Sequence, residues 1–265
     1  MTQFAGAPGQ RGRCAVQQGG EAMRILVVNS NTTPAVTDRI SAAARVVASA
    51  GTVIEAVTAP FGLPLIVTRA DWLVAGPATL SALSSHRGRY DAAVIACFGD
   101  PGLDAAKELL DVPVLGISEA AFHGAAMLGR RFGVVSFTAA LRPMFEECLD
   151  HHGLTARCAG FRMGPAFSGD PGTVAEDRLD LLAGLCAQSA EQDGAEAIIL
   201  AGGPLAGVAP LLQPRVAVPL IDGTQAAVRL AEAMIGLMPR HPRRHRARQL
   251  SGFGPDVTAL YAGGS

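Results

Sequence analysis

Short hydrophobic runs alternate with amphipathic stretches between residues 23 and 238. The runs predict buried β-strands, namely Arg24–Val28, Val53–Val57, Ala92–Ala96, Val112–Leu115, Phe132–Ser136, Ala197–Ala201 and Val218–Ile221. Most are apolar at successive positions, which is typical of parallel strands covered on both faces. The stretches between them predict helices at Pro34–Ser49, Pro101–Leu110, Glu119–Leu128, Ala140–His151, Val174–Gln192 and Thr224–Leu237. This alternation indicates a doubly wound α/β fold with right-handed crossovers.

The pattern occurs twice in the chain. Three segments of the first half return in the second half at offsets of 107, 105 and 106 residues: Arg24–Asn29 as Arg131–Ser136, Asp91–Cys97 as Glu196–Gly202, and Val112–Ala121 as Val218–Ala227. Three matches in the same order predict two duplicated, pseudo-twofold-related parallel-sheet domains. Ligands of such sheets bind beyond the carboxyl ends of the strands. We therefore expect an active-site cleft between the domains, with Asn29 opposite Ser136 and Cys97 opposite Gly202.

The same pattern sets the expected domain boundaries. Residues 1–22 have no apolar run, so we expect a disordered extension or a misplaced start rather than a signal peptide. Residues 23–119 form the first domain, completed by 220–238, and residues 120–219 form the second. Residues 239–265 contain a cluster of arginines and histidines and are expected to be a basic, disordered tail.

Composition narrows the possible functions. With 265 residues, 49% apolar and 17% charged, the chain is globular, and its net charge of −1 argues against a nucleic-acid ligand. No apolar run is long enough for a membrane span. The five cysteines (Cys14, Cys97, Cys148, Cys158 and Cys186) include no CxxC pair and no cluster with zinc spacing, so no metal is expected. Scattered thiols fit a reducing, cytoplasmic compartment.

Cys97 is the strongest candidate for catalysis. It ends an apolar strand and precedes Phe98-Gly99-Asp100-Pro101, where Asp100 suits a helix N-cap and Pro101 the first helical position. A helix N-terminus favours anions, so this position predicts a thiol of lowered pKa that acts as a base or nucleophile. The competing interpretation is a small buried cysteine that ends a strand.

The other sequence signals are weaker. We expect Cys148, Cys158 and Cys186 to be core residues and Cys14 to have no role. No GxGxxG motif follows the first strand, where Asn29-Ser-Asn-Thr-Thr33 stands instead, and no P-loop lysine is present. A dinucleotide-binding oxidoreductase is therefore disfavoured, and no cofactor is expected.

Several segments resemble the aspartate/glutamate/hydantoin racemase superfamily, and hydantoin and allantoin racemases in particular. They are Met23–Thr32, Ala96–Ala105, Pro113–Ala121 and Val218–Gly223. The resemblance covers residues 23–238 and implies a cofactor-independent enzyme that commonly self-associates. It also implies two cysteines flanking the substrate, one in each half, of which one removes the Cα proton and the other returns a proton on the opposite face.

The same resemblance maps the candidate binding residues. Oxyanion donors fall at Phe98-Gly99 and at Gly203, beside the two equivalent catalytic positions. Asn31 and the run Ser136-Phe137-Thr138 fall at substrate contacts. For the glycines the competing interpretation is simple turn geometry, and for Asn29 and Asn31 it is capping of the helix at Pro34.

Gly202 stands where the family has its second catalytic cysteine. Glycine can neither accept nor donate a proton, so two-thiol racemisation is not available. We expect a racemase or epimerase acting at an acidic Cα–H of a hydantoin-like or amino-acid-derived substrate, a small carboxylate or a cyclic imide. Cys97 would serve one face, and water, Asp222 or Ser136 the other.

Two alternatives follow from the same departure. Arylmalonate decarboxylase resembles this family and uses a single cysteine, located in its second half, so this chain would be its mirror arrangement. A one-base lyase or isomerase needs only one proton transfer at Cys97. The second alternative is a pseudoenzyme that binds a small acid without converting it.

Overall fold

The structure, a computed structural model, describes residues 22–237, 250–252 and 254–261. Its strands are β1 (Arg24–Asn29), β2 (Val53–Thr58), β3 (Ala92–Ile95), β4 (Val114–Gly116), β5 (Phe132–Ser136), β6 (Cys158–Met163), β7 (Ala197–Leu200) and β8 (Leu220–Asp222). They form two four-stranded parallel sheets with the orders β2-β1-β3-β4 and β6-β5-β7-β8. The two orders are equivalent position by position, so the predicted duplicated α/β fold is confirmed.

Helices cover both sheets. They are α1 (Pro34–Val47), α2 (Arg69–Ser85), α3 (Leu103–Leu109), α4 (Ile117–Leu128), α5 (Arg142–His151), α6 (Val174–Asp177), α7 (Leu179–Gln192), α8 (Ala209–Leu212), α9 (Gly223–Leu237) and α10 (Pro255–Tyr261). Short 3₁₀ segments lie at Ala139–Leu141, Thr155–Arg157, Gly203–Leu205 and Gln213–Arg215. None of the helices in the described ranges combines the length and apolar character that a membrane crossing requires.

The central strands are buried on both faces. Ile25, Leu26, Val27 and Val28 of β1 are fully buried, as are all residues of β3. Since helices lie on both sides, apolar residues at every position are favoured and no alternation is seen. The seven predicted strands therefore form where the sequence pattern places them, with ends that differ by at most two residues.

The helix that follows each last strand packs on the other half. Helix α4, after β4, packs against β7, whereas α9, after β8, packs against β3 and α1. Glu232 of α9 accepts hydrogen bonds from the Ser49 N–H at 2.7 Å and the Thr52 hydroxyl at 2.7 Å. This packing supports completion of the first domain by residues 220–238, although the exact domain boundaries stay a prediction.

Four elements of the described residues were absent from the predicted set, namely helix α2, the short helix α8, helix α10 and strand β6. Helix α2 contains Gly76 and Pro77, which weaken a helical pattern, yet a Thr68 and Asp71 capping box fixes its start. Strand β6 lies at a sheet edge and is half-buried throughout, so it lacks the apolar run of a central strand. The predicted helix at Val174–Gln192 is two helices, because the chain leaves the helical conformation at Arg178.

The predictions for the two ends of the chain have different outcomes. Residues 1–21, including Cys14, and the arginine-rich stretch 240–249 lie outside the described residues. The expectation of a disordered tail is wrong for Pro255–Tyr261, which form α10 and pack on α2. Leu260 is fully buried there, because it fills an apolar site that α2 and neighbouring strands leave open.

Candidate functional site

A small cavity lies where the carboxyl ends of β3 and β7 meet. It has a volume of about 20 Å³ and is lined by Asn31, Leu65, Ile66, Ala96, Cys97, Phe98, Phe137, Leu141, Phe145, Gly202, Gly203 and Pro204. Both halves contribute to its wall. A Cβ on Gly203 would lie 3.3 Å from the Ala96 carbonyl oxygen, so the turn of the second half touches the end of the first-half strand.

Cys97 is a protonated, buried thiol in this cavity. Its residue is 9% exposed, and the thiol donates to the Phe98 carbonyl oxygen with an S···O distance of 3.8 Å. Burial and, to a lesser extent, the negative charge of Asp100 raise the pKa of Cys97 to about 12. The expected lowering of this pKa is wrong, because desolvation penalises the thiolate and no helix begins directly after Cys97.

The loop that follows Cys97 differs from its prediction. Asp100 does not cap the next helix; α3 begins only at Leu103, after Gly102 in a left-handed conformation. The Asp100 carboxylate instead accepts hydrogen bonds from the backbone N–H groups of Ser118 at 3.0 Å and Glu119 at 2.8 Å. It thereby caps α4, whose Ser118 lies 18 residues further along the chain, a pairing that only the folded chain creates.

Gly202 faces the same cavity from the second half. It has a φ of 132°, in the region that favours glycine, and it precedes the 3₁₀ segment Gly203–Leu205. A Cβ at this position would lie 3.2 Å from the Phe137 ring. The wall opposite the Cys97 half is therefore backbone with aromatic and aliphatic carbon, without a second thiol.

Asn31 supplies an amide to the cavity wall. Its Oδ1 atom accepts from Asn29 Nδ2 at 2.9 Å and from the Thr33 N–H at 2.9 Å. With the carbonyl oxygen occupied in this way, the amide NH₂ of Asn31 is the group left to donate to a ligand. Asn29 itself donates to Thr37 Oγ1 at 3.0 Å, so its role is to hold this loop.

Not every predicted residue reaches the cavity. Phe137 does, but the Ser136 hydroxyl donates to the Ala201 carbonyl oxygen at 2.6 Å and holds two strand ends together. Thr138 is buried with an unpartnered hydroxyl and is not part of the lining. The Gly99 N–H donates to Ser118 Oγ at 2.6 Å, so it is not a free oxyanion donor.

The two side chains considered as substitutes for the missing thiol are also elsewhere. Asp222 is buried at the end of β8, where its carboxylate accepts from the N–H groups of Gly207 and Gln225. Neither Asp222 nor Ser136 lines the cavity, and Cys97 is the only titratable residue in its described lining.

Several wall residues could not be identified from sequence. Leu65 and Ile66 come from the connection between β2 and α2, and Leu141 and Phe145 come from the start and body of the α5 region. They are apolar residues without a motif, so nothing in the sequence separates them from ordinary core residues. Only the packing of the two halves brings them to Cys97.

Comparison with known proteins agrees with the fold. The family model described as Asp/Glu/Hydantoin racemase matches residues 25–231. A hydantoin racemase from Paenarthrobacter aurescens is 35% identical over 221 residues, covering 81% of this chain and 92% of that protein. The structure of an allantoin racemase from Klebsiella pneumoniae superposes with a TM-score of 0.81 at 35% identity, covering 89% of this chain and 98% of that one.

A more distant likeness concerns the fold alone. A variant of arylmalonate decarboxylase, with a glycine changed to cysteine and a cysteine changed to serine, superposes with a TM-score of 0.60 at 15% identity. That structure covers 81% of this chain, and 93% of its own length is matched.

The chain belongs to the Asp/Glu/hydantoin racemase family. It is an isomerase of the racemase type by this relationship, and the predicted resemblance is confirmed.

Proposed function

We propose that this protein is a cofactor-independent racemase or epimerase in which Cys97 is the one side chain that acts as acid and base. Its substrate would carry an acidic Cα–H and be hydantoin-like or derived from an amino acid. The supporting observation is that Cys97 and Gly202 line one cavity from opposite halves of the duplicated fold. Relatives named as hydantoin and allantoin racemases support the substrate class.

The proposed reaction is a proton exchange through an enolate. The Cys97 thiolate removes the Cα proton, and the electron pair of the C–H bond moves to the adjacent carbonyl oxygen. The amide NH₂ of Asn31 and the N–H of Gly203 are the proposed donors to this oxygen. Gly203 opens a 3₁₀ segment, so its N–H lacks an intrahelical acceptor. Preorganised donors of this kind supply much of the rate of enolate chemistry.

The proton then returns on one of two faces. Return from the Cys97 thiol restores the original configuration and regenerates the thiolate. Delivery from water on the Gly202 side inverts the configuration, and the hydroxide left behind takes the thiol proton. For a site with one thiol we therefore expect frequent exchange of the Cα proton with retention of configuration, and slower inversion.

The lining favours a neutral ring over a free carboxylate. Apart from Asn31, the described side chains of the cavity are apolar or are the Cys97 thiol, and no cationic side chain lines it. Burying an unpaired carboxylate there would be costly, whereas a cyclic imide can pair its polar edges with Asn31 and backbone groups.

The cavity must enlarge before a substrate enters. Its volume of about 20 Å³ is close to the space of one water molecule. The walls formed by Leu65 and Ile66 belong to an irregular connection rather than to a sheet or long helix. We propose that this connection moves when substrate binds.

A one-base decarboxylase is the second candidate. Burial raises the pKa of Cys97 to about 12, so the thiol is protonated at neutral pH. A protonated thiol is ready to quench a carbanion that forms when CO₂ leaves a substituted malonate. The absence of a second acid or base from the described lining of the cavity fits this chemistry, whereas the lack of a cationic side chain there leaves the carboxylates of a malonate without a partner.

Solvent exchange in D₂O tests both candidates. Each enantiomer of a 5-substituted hydantoin and of allantoin is incubated with the enzyme, and deuterium at Cα and optical rotation are followed together. We expect Cα deuteration that exceeds inversion, and its loss in Cys97→Ala. The control is Cys158→Ser, because Cys158 is a half-buried thiol of β6 outside the cavity.

Other outcomes point to the alternatives. Release of CO₂ from phenylmalonate without hydantoin exchange supports the decarboxylase. Binding of these compounds without exchange or product supports the pseudoenzyme. Full turnover by Cys97→Ala contradicts every reaction proposed at this thiol. Self-association and a cytoplasmic location stay predictions.

A further inference from the structure

A second, larger cavity lies on the other side of the loop that follows Cys97. Its volume is about 390 Å³, and it is bordered by α2, α3 and α5. No residue lines both this cavity and the one that contains Cys97. Asp100, Cys148 and His152 all face it. The proposed racemase reaction uses none of these three side chains directly.

Their donor atoms converge. One carboxylate oxygen of Asp100, the Cys148 sulfur and one His152 ring nitrogen all lie within 4.8 Å of one another. Cys148 lies in the last turn of α5, and His152 is the C-cap residue four positions later, so the two side chains lie on the same side of the helix end. Asp100 comes from a different segment, so the cluster exists only in the folded chain.

The His152 ring has an unused donor or acceptor atom. Its side chain is 8% exposed, and Nε2 has no hydrogen-bond partner among the described residues. Nε2 lies 3.5 Å from Asp100 Oδ2, without hydrogen-bond alignment. A buried polar atom left in this way requires an explanation, because its desolvation is uncompensated.

We propose that Asp100, Cys148 and His152 bind a thiophilic divalent cation of the Zn²⁺ class. Thiolate, imidazole and carboxylate together favour Zn²⁺ over Mg²⁺ or Ca²⁺, which prefer sets of oxygen ligands. Asp100 Oδ2 accepts one N–H, from Glu119, and retains a lone pair for coordination. Three protein ligands leave the fourth tetrahedral position open to the cavity, where water or a small anion would bind.

The geometry fits a metal better than a catalytic triad. A triad places the carboxylate at one imidazole nitrogen and the thiol at the other. Here the unpartnered Nε2 is the nitrogen next to the carboxylate. On binding, the S–metal bond replaces the S–H bond and the proton passes to solvent.

Cobalt substitution tests the site in the full-length, reduced, chelator-treated protein. Co²⁺ is added as the probe, thiolate–Co²⁺ charge-transfer absorption is recorded, and Zn²⁺ is then added as competitor. We expect this absorption in the wild type and its displacement by Zn²⁺. We also expect its loss in Cys148→Ser, with affinity at least about 100-fold lower, since loss of an outer hydrogen-bond partner alone costs about 10–100-fold.

Matched controls separate this site from other thiols and imidazoles. Cys158→Ser removes a thiol outside the cluster, and His151→Gln removes a neighbouring imidazole that pairs with Asp104 at 3.1 Å. Both should bind Co²⁺ like the wild type. His152→Gln should weaken binding while leaving a thiol at position 148. Zn²⁺ should raise the Tm of the wild type and not that of Cys148→Ser.

The results decide the proposal in either direction. A wild type without thiolate–Co²⁺ absorption overturns it, as does absorption that persists in Cys148→Ser. If Cys148→Ser does not fold, comparison of the wild type with His152→Gln decides the proposal. Weaker Co²⁺ binding and a smaller Zn²⁺-induced rise in Tm in His152→Gln than in the wild type support the site. Equal values in the two proteins overturn it. Metal binding and Cα exchange have separate readouts, so failure of one is distinguishable from failure of the other.

Discussion

Cys97 and Gly202 line one cavity, and each stands two residues beyond the third strand of its own sheet. The two positions are equivalent in the duplicated fold, but only one of them carries a group that can transfer a proton. The site is therefore asymmetric in its chemistry although the two sheets have the same strand order. Its predicted behaviour follows from this asymmetry and from the burial of the thiol.

The pH dependence distinguishes a base from a proton donor. Burial, and next the charge of Asp100, raise the pKa of Cys97 to about 12. Below that pKa the thiolate fraction grows about tenfold per pH unit, so base-catalysed Cα exchange should rise in that proportion between about pH 7 and 10. A reaction that uses the protonated thiol should be flat over the same range. A plateau of exchange near pH 8 would show that the working thiol has an ordinary pKa.

Gly202→Cys should restore a second thiol at a cost in stability. At a φ of 132° a side chain is strained, and its Cβ would lie 3.2 Å from the Phe137 ring. We expect the free energy of unfolding to fall by about 1–3 kcal/mol. We also expect the ratio of inversion to Cα exchange to rise, measured by optical rotation and deuterium content.

The control for this variant is Gly207→Cys. Gly207 also has a positive φ, of 82°, but its position lies outside the cavity. It should show the loss of stability without the change in the ratio. A folded Gly202→Cys protein with the wild-type ratio of inversion to Cα exchange would show that a thiol at position 202 does not deliver a proton to the substrate.

Asn31→Asp separates the structural and binding roles of Asn31. The retained Oδ1 still accepts from Asn29 Nδ2 and from the Thr33 N–H, so the loop contacts are kept, whereas burial of the new carboxylate should lower the free energy of unfolding. The variant loses the NH₂ donor and places a negative charge beside the developing enolate. We expect kcat/KM to fall by about 10²-fold, the usual scale for loss of an oxyanion donor. Unchanged turnover would exclude Asn31 as that donor.

Asp100 should stabilise the start of α4. Its carboxylate accepts from the N–H groups of Ser118 and Glu119, and a Cβ on Gly116 would collide with it. In the metal-free protein, Asp100→Ala should lower the free energy of unfolding by about 1–2 kcal/mol, in urea titrations. Asp100→Asn should lose less, because it keeps one acceptor and tolerates the φ of 49°. Equal losses in both variants would argue against the cap.

The hydrophobic pattern of the sequence predicts much of the fold. The apolar runs at Arg24–Val28 and Ala197–Ala201 predicted central strands, because a strand buried on both faces has no polar positions to interrupt it. Strand β6 and helix α2 were missed for physical reasons. An edge strand exposes part of each residue, and Gly76 and Pro77 weaken the helical pattern that tertiary packing on α10 and β1 nevertheless stabilises.

The sequence by itself determined the duplication, the strand ends and therefore the positions of Cys97 and Gly202, because these depend on local hydrophobic periodicity and on matching segments. The tertiary structure decided what surrounds them. Side-chain burial sets the pKa of Cys97, and packing brings Asp100 to α4 and to His152 over distances along the chain that no local pattern encodes. Local pattern fixes where a residue stands in its strand, whereas desolvation and partner choice depend on every element packed around it.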